Sequence, residues 1–329
     1  MFRKEFITAL KHAFISLGAL ACIASPSITH AQSWPDKPVK LIIPFAAGGT
    51  TDILGRIFAQ QMTTILGQNV IVENRGGAGG NIGAEVVANS PPNGYTLLLA
   101  SGSMMTVNPY LYKKLLLNYA TDLTYITAVA GGPMLVSVSP NLPVNNLKEL
   151  IALAKTKELT FGSAGIGSQV HMAGENFTYA AGIGATHVPY KGEAPAINDL
   201  VSGQIDFMVG NLPAAAGFAK AGKIKALAIT SSKRVAQLPD VPTVSEAAIP
   251  GFVNVGWYAL AAPAGTPKAI VDKIYRATQK ALESEAMRKS LEINGLTAIA
   301  NTPKELDAQI KNESAVWEKV IKARNIVAQ

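Results

Sequence analysis

Short apolar runs and amphipathic stretches alternate along most of this chain. Residues 39–45 form a compact apolar run ending at Gly48-Gly49, the pattern of a buried strand entering a tight turn. Ile53, Leu54, Ile57, Phe58, Met62, Ile65 and Leu66 then recur at helical spacing. A strand pattern returns over 69–73, a helix over 81–88, and a Leu-rich strand over 95–100, opened by the turn Pro92-Asn93-Gly94. A β-α-β-α-β order calls for a largely parallel sheet with right-handed crossovers.

Residues 124–138 read as one long extended segment, interrupted by Gly131-Gly132-Pro133, that can leave one sheet and enter another. The alternation then restarts: helix over 147–154, strand over 160–163, helix over 168–180, strand over 187–190, helix over 194–201, strands over 206–209 and 224–230. A strand over 257–262 and two helices complete the chain. Thr266-Pro267 and Thr302-Pro303 each place a capping Thr before a Pro at the first helical position. Thr302 with Glu305 also fits a capping box. Trp317, Val320 and Ile321 give the last helix an apolar stripe.

The expected fold is therefore α/β, with two Rossmann-like lobes. If the C-terminal segment returns to cover the first sheet, the chain crosses between lobes twice, near 131–133 and somewhere in 230–256. The first lobe would comprise 32–132 plus about 234–329, the second about 133–233. Two crossings make a hinge, and a hinge between α/β lobes makes a cleft that can close.

The first residues follow another pattern. Arg3, Lys4 and Lys11 precede an apolar run over 13–24, then Pro26 and Thr29-His30-Ala31. This is the three-part layout of a secretory signal cleaved after Ala31. The run is short of the roughly 20 residues of a membrane span, which weighs against an anchor. Lipid attachment at Cys22 is a third reading, but Ala19 stands where such signals usually carry Leu. Residues 1–31 are read as a signal peptide, and the mature protein as periplasmic.

Cys22 is the only cysteine, so a mature chain without it has no disulfide and no thiol chemistry. His171 and His187 do not have metal-ligand spacing. There is no G-x-x-x-x-G-K-[ST], no G-x-S-x-G, and the Gly-rich stretch 76–83 misses G-x-G-x-x-G. These absences weigh against an enzyme, and no cofactor or metal is expected. The net charge is +7, spread over scattered sites such as Lys113-Lys114 and Lys233-Arg234. That suits a solvated surface with a mild pull on small anions rather than a nucleic-acid stripe. A monomer is expected.

The sharpest local feature is Phe45-Ala46-Ala47-Gly48-Gly49-Thr50-Thr51-Asp52, between a strand and a helix. Glycines let a ligand approach the backbone, Thr50 or Thr51 can cap the helix, and the free amides there attract an anion. An ordinary turn with a Thr cap would look the same. Ser163-Ala164-Gly165-Ile166-Gly167-Ser168 repeats the device in the second half, with Ser168 a natural N-cap. Two such turns can face each other at the carboxyl ends of strands, where open α/β sheets bind ligands. Ser101 and Ser103, Tyr190 and Lys191, and Asn211 also lie at strand ends, as lining or as turn chemistry. His171 is read as a capping or packing residue.

The runs Trp34-Pro35-Asp36-Lys37-Pro38, Ile43-Pro44-Phe45-Ala46-Ala47-Gly48-Gly49 and Val72-Glu73-Asn74-Arg75-Gly76-Gly77-Ala78-Gly79-Gly80-Asn81-Ile82-Gly83 resemble the Bug family, the substrate-binding receptors of tripartite tricarboxylate transporters. The likeness continues through His187-Val188-Pro189-Tyr190-Lys191-Gly192, Leu238-Pro239-Asp240-Val241-Pro242-Thr243 and Ala262-Pro263-Ala264-Gly265-Thr266-Pro267. The resemblance implies a type II periplasmic binding fold, a small organic carboxylate as ligand, and membrane transporter subunits as partners. By matching positions it implies contacts from Phe45, Gly48, Gly49, Thr50, Asp52, Ser101 and Ser103, and from Ser163, Gly165, Ser168 and Tyr190 across the cleft. Met104-Met105 and Gly210 depart from the family's usual residues, so the particular ligand does not carry over.

Overall fold

The computed structural model describes residues 34–328; the expected signal peptide and Cys22 lie outside them. From Lys37 onward the chain forms one compact unit. It opens with β1 (Val39–Ile43), α1 (Thr50–Leu66), β2 (Val70–Asn74), a 3-10 turn (Ala78–Gly80), α2 (Asn81–Ala88) and β3 (Thr96–Ser101). Two short helices follow, α3 (Gly102–Thr106) and α4 (Asn108–Leu111), then the long β4 (Leu123–Val138). The second alternating block is α5 (Leu147–Ala154), β5 (Thr160–Ser163), α6 (Gln169–Ala181), β6 (Thr186–Pro189), α7 (Glu193–Ser202), β7 (Phe207–Asn211), α8 (Leu212–Lys220) and β8 (Lys225–Ile229). The tail is α9 (Val244–Ala247), β9 (Val255–Pro263), α10 (Lys268–Glu283), α11 (Glu285–Ile293), β10 (Thr297–Ala298) and α12 (Pro303–Arg324).

The strands lie in the order β2-β1-β3-β9-β4-β7-β5-β6. β1 pairs in parallel with β2 and β3, and β5 in parallel with β6 and β7. Leu97, Leu98, Leu99 and Ala100 of β3 are all buried, the continuous apolar run of a strand covered on both faces. The returning β9 runs antiparallel between β3 and β4, so the tail does join the first strand group.

β4 belongs to both groups. Leu123 through Pro133 pair with β9, whereas Met134 through Val138 pair with β7 and Leu135 through Val138 with β8. The switch falls at Gly131-Gly132-Pro133. The second passage, from β8 to β9, is tied to it by Thr230. Its hydroxyl accepts the Met134 amide at 2.7 Å and donates to the Asn254 carbonyl at 2.5 Å.

Local chemistry explains several helix ends. Thr302 and Glu305 form the expected capping box, and Ser168 accepts the His171 amide at 3.2 Å. Two expected caps differ. Thr266 is buried and donates to the Pro263 carbonyl at 2.7 Å, while α10 starts beyond Pro267 without a side-chain cap. Gly49, not Thr50 or Thr51, is the N-cap of α1. The tail also holds three long helices rather than two, because Ser284 caps α11 and breaks it from α10.

Candidate functional site

The β1–α1 turn is locked by Asp52. Its carboxylate accepts the Gly48 amide at 3.0 Å, the Asn74 side-chain amide at 3.0 Å and Arg56 at 3.0 Å. Burial alone would raise this carboxyl, but Arg56, Gly48 and Asn74 outweigh it and hold it below the ordinary range. Gly48 has φ +83°, a conformation that favours glycine. The turn thereby leaves the Thr50 amide free to point at the second half of the molecule.

Opposite stand the β6–α7 and β7–α8 turns. The Ala46 amide donates to the Lys191 carbonyl at 3.2 Å. Thr50 Oγ1 accepts the Ala214 amide at 3.2 Å. Glu193, the first residue of α7, is buried. Its Oε2 accepts the Thr50 amide at 3.1 Å; its Oε1 accepts the Asn211 amide at 2.5 Å and the Asn211 side chain at 3.1 Å. Burial pushes the Glu193 carboxyl up, and the amides of Thr50 and Asn211 pull against that shift.

These turns enclose a cavity whose free volume is about 20 Å3, room for about one water. Of the sequence-predicted residues, Phe45, Gly49, Thr50, Ser101, Ser168 and Asn211 line it. They share it with Thr51, Ala164, Gln169, Val170, Glu193 and Tyr258, which sequence reasoning missed. Tyr258 is 1% exposed, and its hydroxyl has no hydrogen-bond partner among the described residues.

The other predicted residues do not line this cavity. Asp52 is spent on the turn just described, and Gly48 backs onto Ala194. Ser103 lies against Ser101 at 3.3 Å and faces a neighbouring cavity with Trp257 and Trp317. Ser163 Oγ is held by His187 Nε2 at 2.6 Å and by the Gly165 amide at 3.1 Å. Gly165 meets the Tyr190 carbonyl and Gly79 instead. The Tyr190 hydroxyl turns away to Asp199 at 2.6 Å. Met104 and Met105 are buried, and Met104 packs beneath Gly80.

His171 does pack, as expected. Its Nδ1 accepts the Gly167 amide at 3.2 Å, its Nε2 lies 3.6 Å from Glu175, and its ring centroid is 4.0 Å from that of His187. Burial, with repulsion from His187, lowers His171 to about 3, and burial lowers His187 to about 4. Both are therefore neutral in the folded chain, while an unfolded histidine protonates near pH 6.5. Their contribution is complete above about pH 6.5 and is lost as pH falls toward 4, because only the unfolded state takes up the protons. The raised carboxyls of Glu175 and Glu193 act in the opposite direction. From the two histidines, unfolding free energy in urea titrations should be about 4 kcal/mol lower at pH 5 than at pH 7.5, about 2 kcal/mol from each; a flat profile would contradict the buried pair.

Residues 54–326 match the profile of the tripartite tricarboxylate transporter family receptor. The chain belongs to this receptor family. Its architecture agrees with the periplasmic binding protein BugD, which is 37% identical, with a TM-score of 0.86 over 90% of this chain and 100% of that one. An adipate-bound protein of R. palustris is 35% identical, with a TM-score of 0.86 over 89% and 99% of the two chains. MatC of Rhodopseudomonas palustris, with bound malate, is 32% identical, with a TM-score of 0.82 over 88% and 100%. This tripartite transporter receptor thus has the mixed α/β fold of periplasmic binding proteins, and its family comprises substrate-binding receptors, not enzymes.

Proposed function

We propose that this receptor is exported to the periplasm, closes over a small organic carboxylate, and delivers it to a tripartite tricarboxylate-type membrane transporter. The observation that carries the reading is the convergence of amide donors on one enclosed cavity. The start of α1 brings the Thr50 amide, and the start of α8 brings the Asn211 amide and side chain. A helix N-terminus favours negative charge, and no Lys or Arg lines the cavity. Ligand contacts are assigned to Phe45, Gly49, Thr50 and Ser101 from one side, and Ser168 and Asn211 from the other. The adipate and malate of the two Rhodopseudomonas relatives support a carboxylate. The signal-like N-terminus supports export.

Closure is assigned to the two passages at Pro133-Met134 and between Thr230 and Val255, which bound the two lobes. Malate and adipate are the first compounds to test by thermal shift and calorimetry. A bound acid at 100 times its dissociation constant adds about 2.7 kcal/mol of stability. If neither these acids nor a wider carboxylate panel shifts the transition, the ligand class is wrong.

A further inference from the structure

A site suited to an anion in the cleft is occupied by the chain itself. Three helices, α1, α7 and α8, begin around the Glu193 carboxylate, and each donor it receives is a neutral amide, from Thr50 or Asn211. Glu193 and Thr50 lie 143 residues apart in sequence, on the two sides of the cleft. Gly49 makes the approach possible, since a Cβ there would lie 3.2 Å from Glu193 Cβ. With Glu193 in place, the rest of the cavity has room for about one water beside Ser101 and Tyr258. A ligand carboxylate cannot share these donors with Glu193, because its two oxygens already take all three and the remaining space holds about one water.

We propose that Glu193 is an internal competitor for the ligand: its side chain fills the carboxylate position between Thr50 and Asn211, clamps the cleft shut, and must be displaced when an acid binds. This rests on the carboxylate reading above. Because the clamp spans both sides of the cleft, it lowers apparent affinity by reducing the fraction of molecules competent to bind. Glu193 thereby sets the concentration range over which the receptor responds, without being a contact of the bound acid.

The test compares ligand-stripped wild-type protein with Glu193→Ala and Glu193→Gln. Small-angle scattering reads the compactness of each, and calorimetry reads malate and adipate binding. Glu193→Gln keeps the side-chain volume and one acceptor oxygen but sets an NH2 against the donors on the other side, Thr50 or Asn211, so it breaks the bridge and serves if the Ala variant folds poorly. Both variants should have a larger radius of gyration than wild type before acid is added, and should bind at least one acid about tenfold or more tighter. An unchanged radius together with unchanged or weaker binding overturns the proposal and leaves the carboxylate reading intact. Expansion of the variants with no acid bound by any of the three proteins keeps the clamp and counts against the carboxylate reading.

Discussion

Gly79→Ala should leave the fold standing and prop the cleft open. Gly79 sits in the 3-10 turn between β2 and α2 with φ +61°, and a Cβ there would lie 2.0 Å from the Ile166 carbonyl oxygen and 3.0 Å from Tyr112 Oη. Ile166 belongs to the β5–α6 turn across the cleft, where Tyr112 donates to its carbonyl at 2.8 Å. Neither backbone can give way locally, so the cheapest relief is separation of the two sides. The left-handed conformation itself adds about 1–2 kcal/mol for a residue with a Cβ. Scattering should show an expanded protein that does not contract with acid, and calorimetry a loss of carboxylate affinity of at least about tenfold. A compact Gly79→Ala protein with wild-type affinity would contradict this.

The largest stability loss is expected from Phe161→Ala. Phe161, on β5, is 1% exposed and stacks on His187 at 4.9 Å and Phe207 at 5.7 Å between ring centroids. Gly174 of α6 lies so close that a Cβ there would be 2.4 Å from the ring. Having no side chain, Gly174 cannot fill the space left by truncation, and β5 is held by partners on both sides. Truncation should therefore cost about 3–5 kcal/mol, the range for a large aromatic lost from a core. Urea unfolding followed by circular dichroism measures this; a loss below about 1 kcal/mol would mean that the site collapses.

Much of this architecture was legible because strands covered on both faces leave uninterrupted apolar runs, as in Leu97-Leu98-Leu99, and amphipathic helices leave periodic ones, as from Ile53 to Leu66. Other elements escaped for physical reasons. The helix after Asn211 is rich in Ala and Gly, so its buried and exposed sides hardly differ in polarity; Pro213, in its first turn, was the available signal. Residues 102–111 are almost all buried, which erases any period. The break at Ser284 sits inside a continuous helical pattern.

The lining of the candidate cavity was legible by half for a different reason. Turn glycines and Ser168 announce themselves locally, whereas Glu193 finds Thr50 only through the fold. An acid after Tyr190-Lys191-Gly192 resembles an exposed turn residue until the two sides meet. Asp52 and Ser163 stand in turns beside the cavity, and their hydrogen bonds are spent within those turns and on neighbouring side chains.

The sharing of β4 has a mechanical consequence. A strand common to both strand groups is a leaf spring rather than a loose tether: movement there must bend or twist a hydrogen-bonded ribbon. Nor can one group melt quietly beside the other, since unravelling either strips a continuous strand of half its partners. On the closure reading proposed above, opening the cleft would therefore fall to the same sixteen-residue strand that keeps the molecule whole.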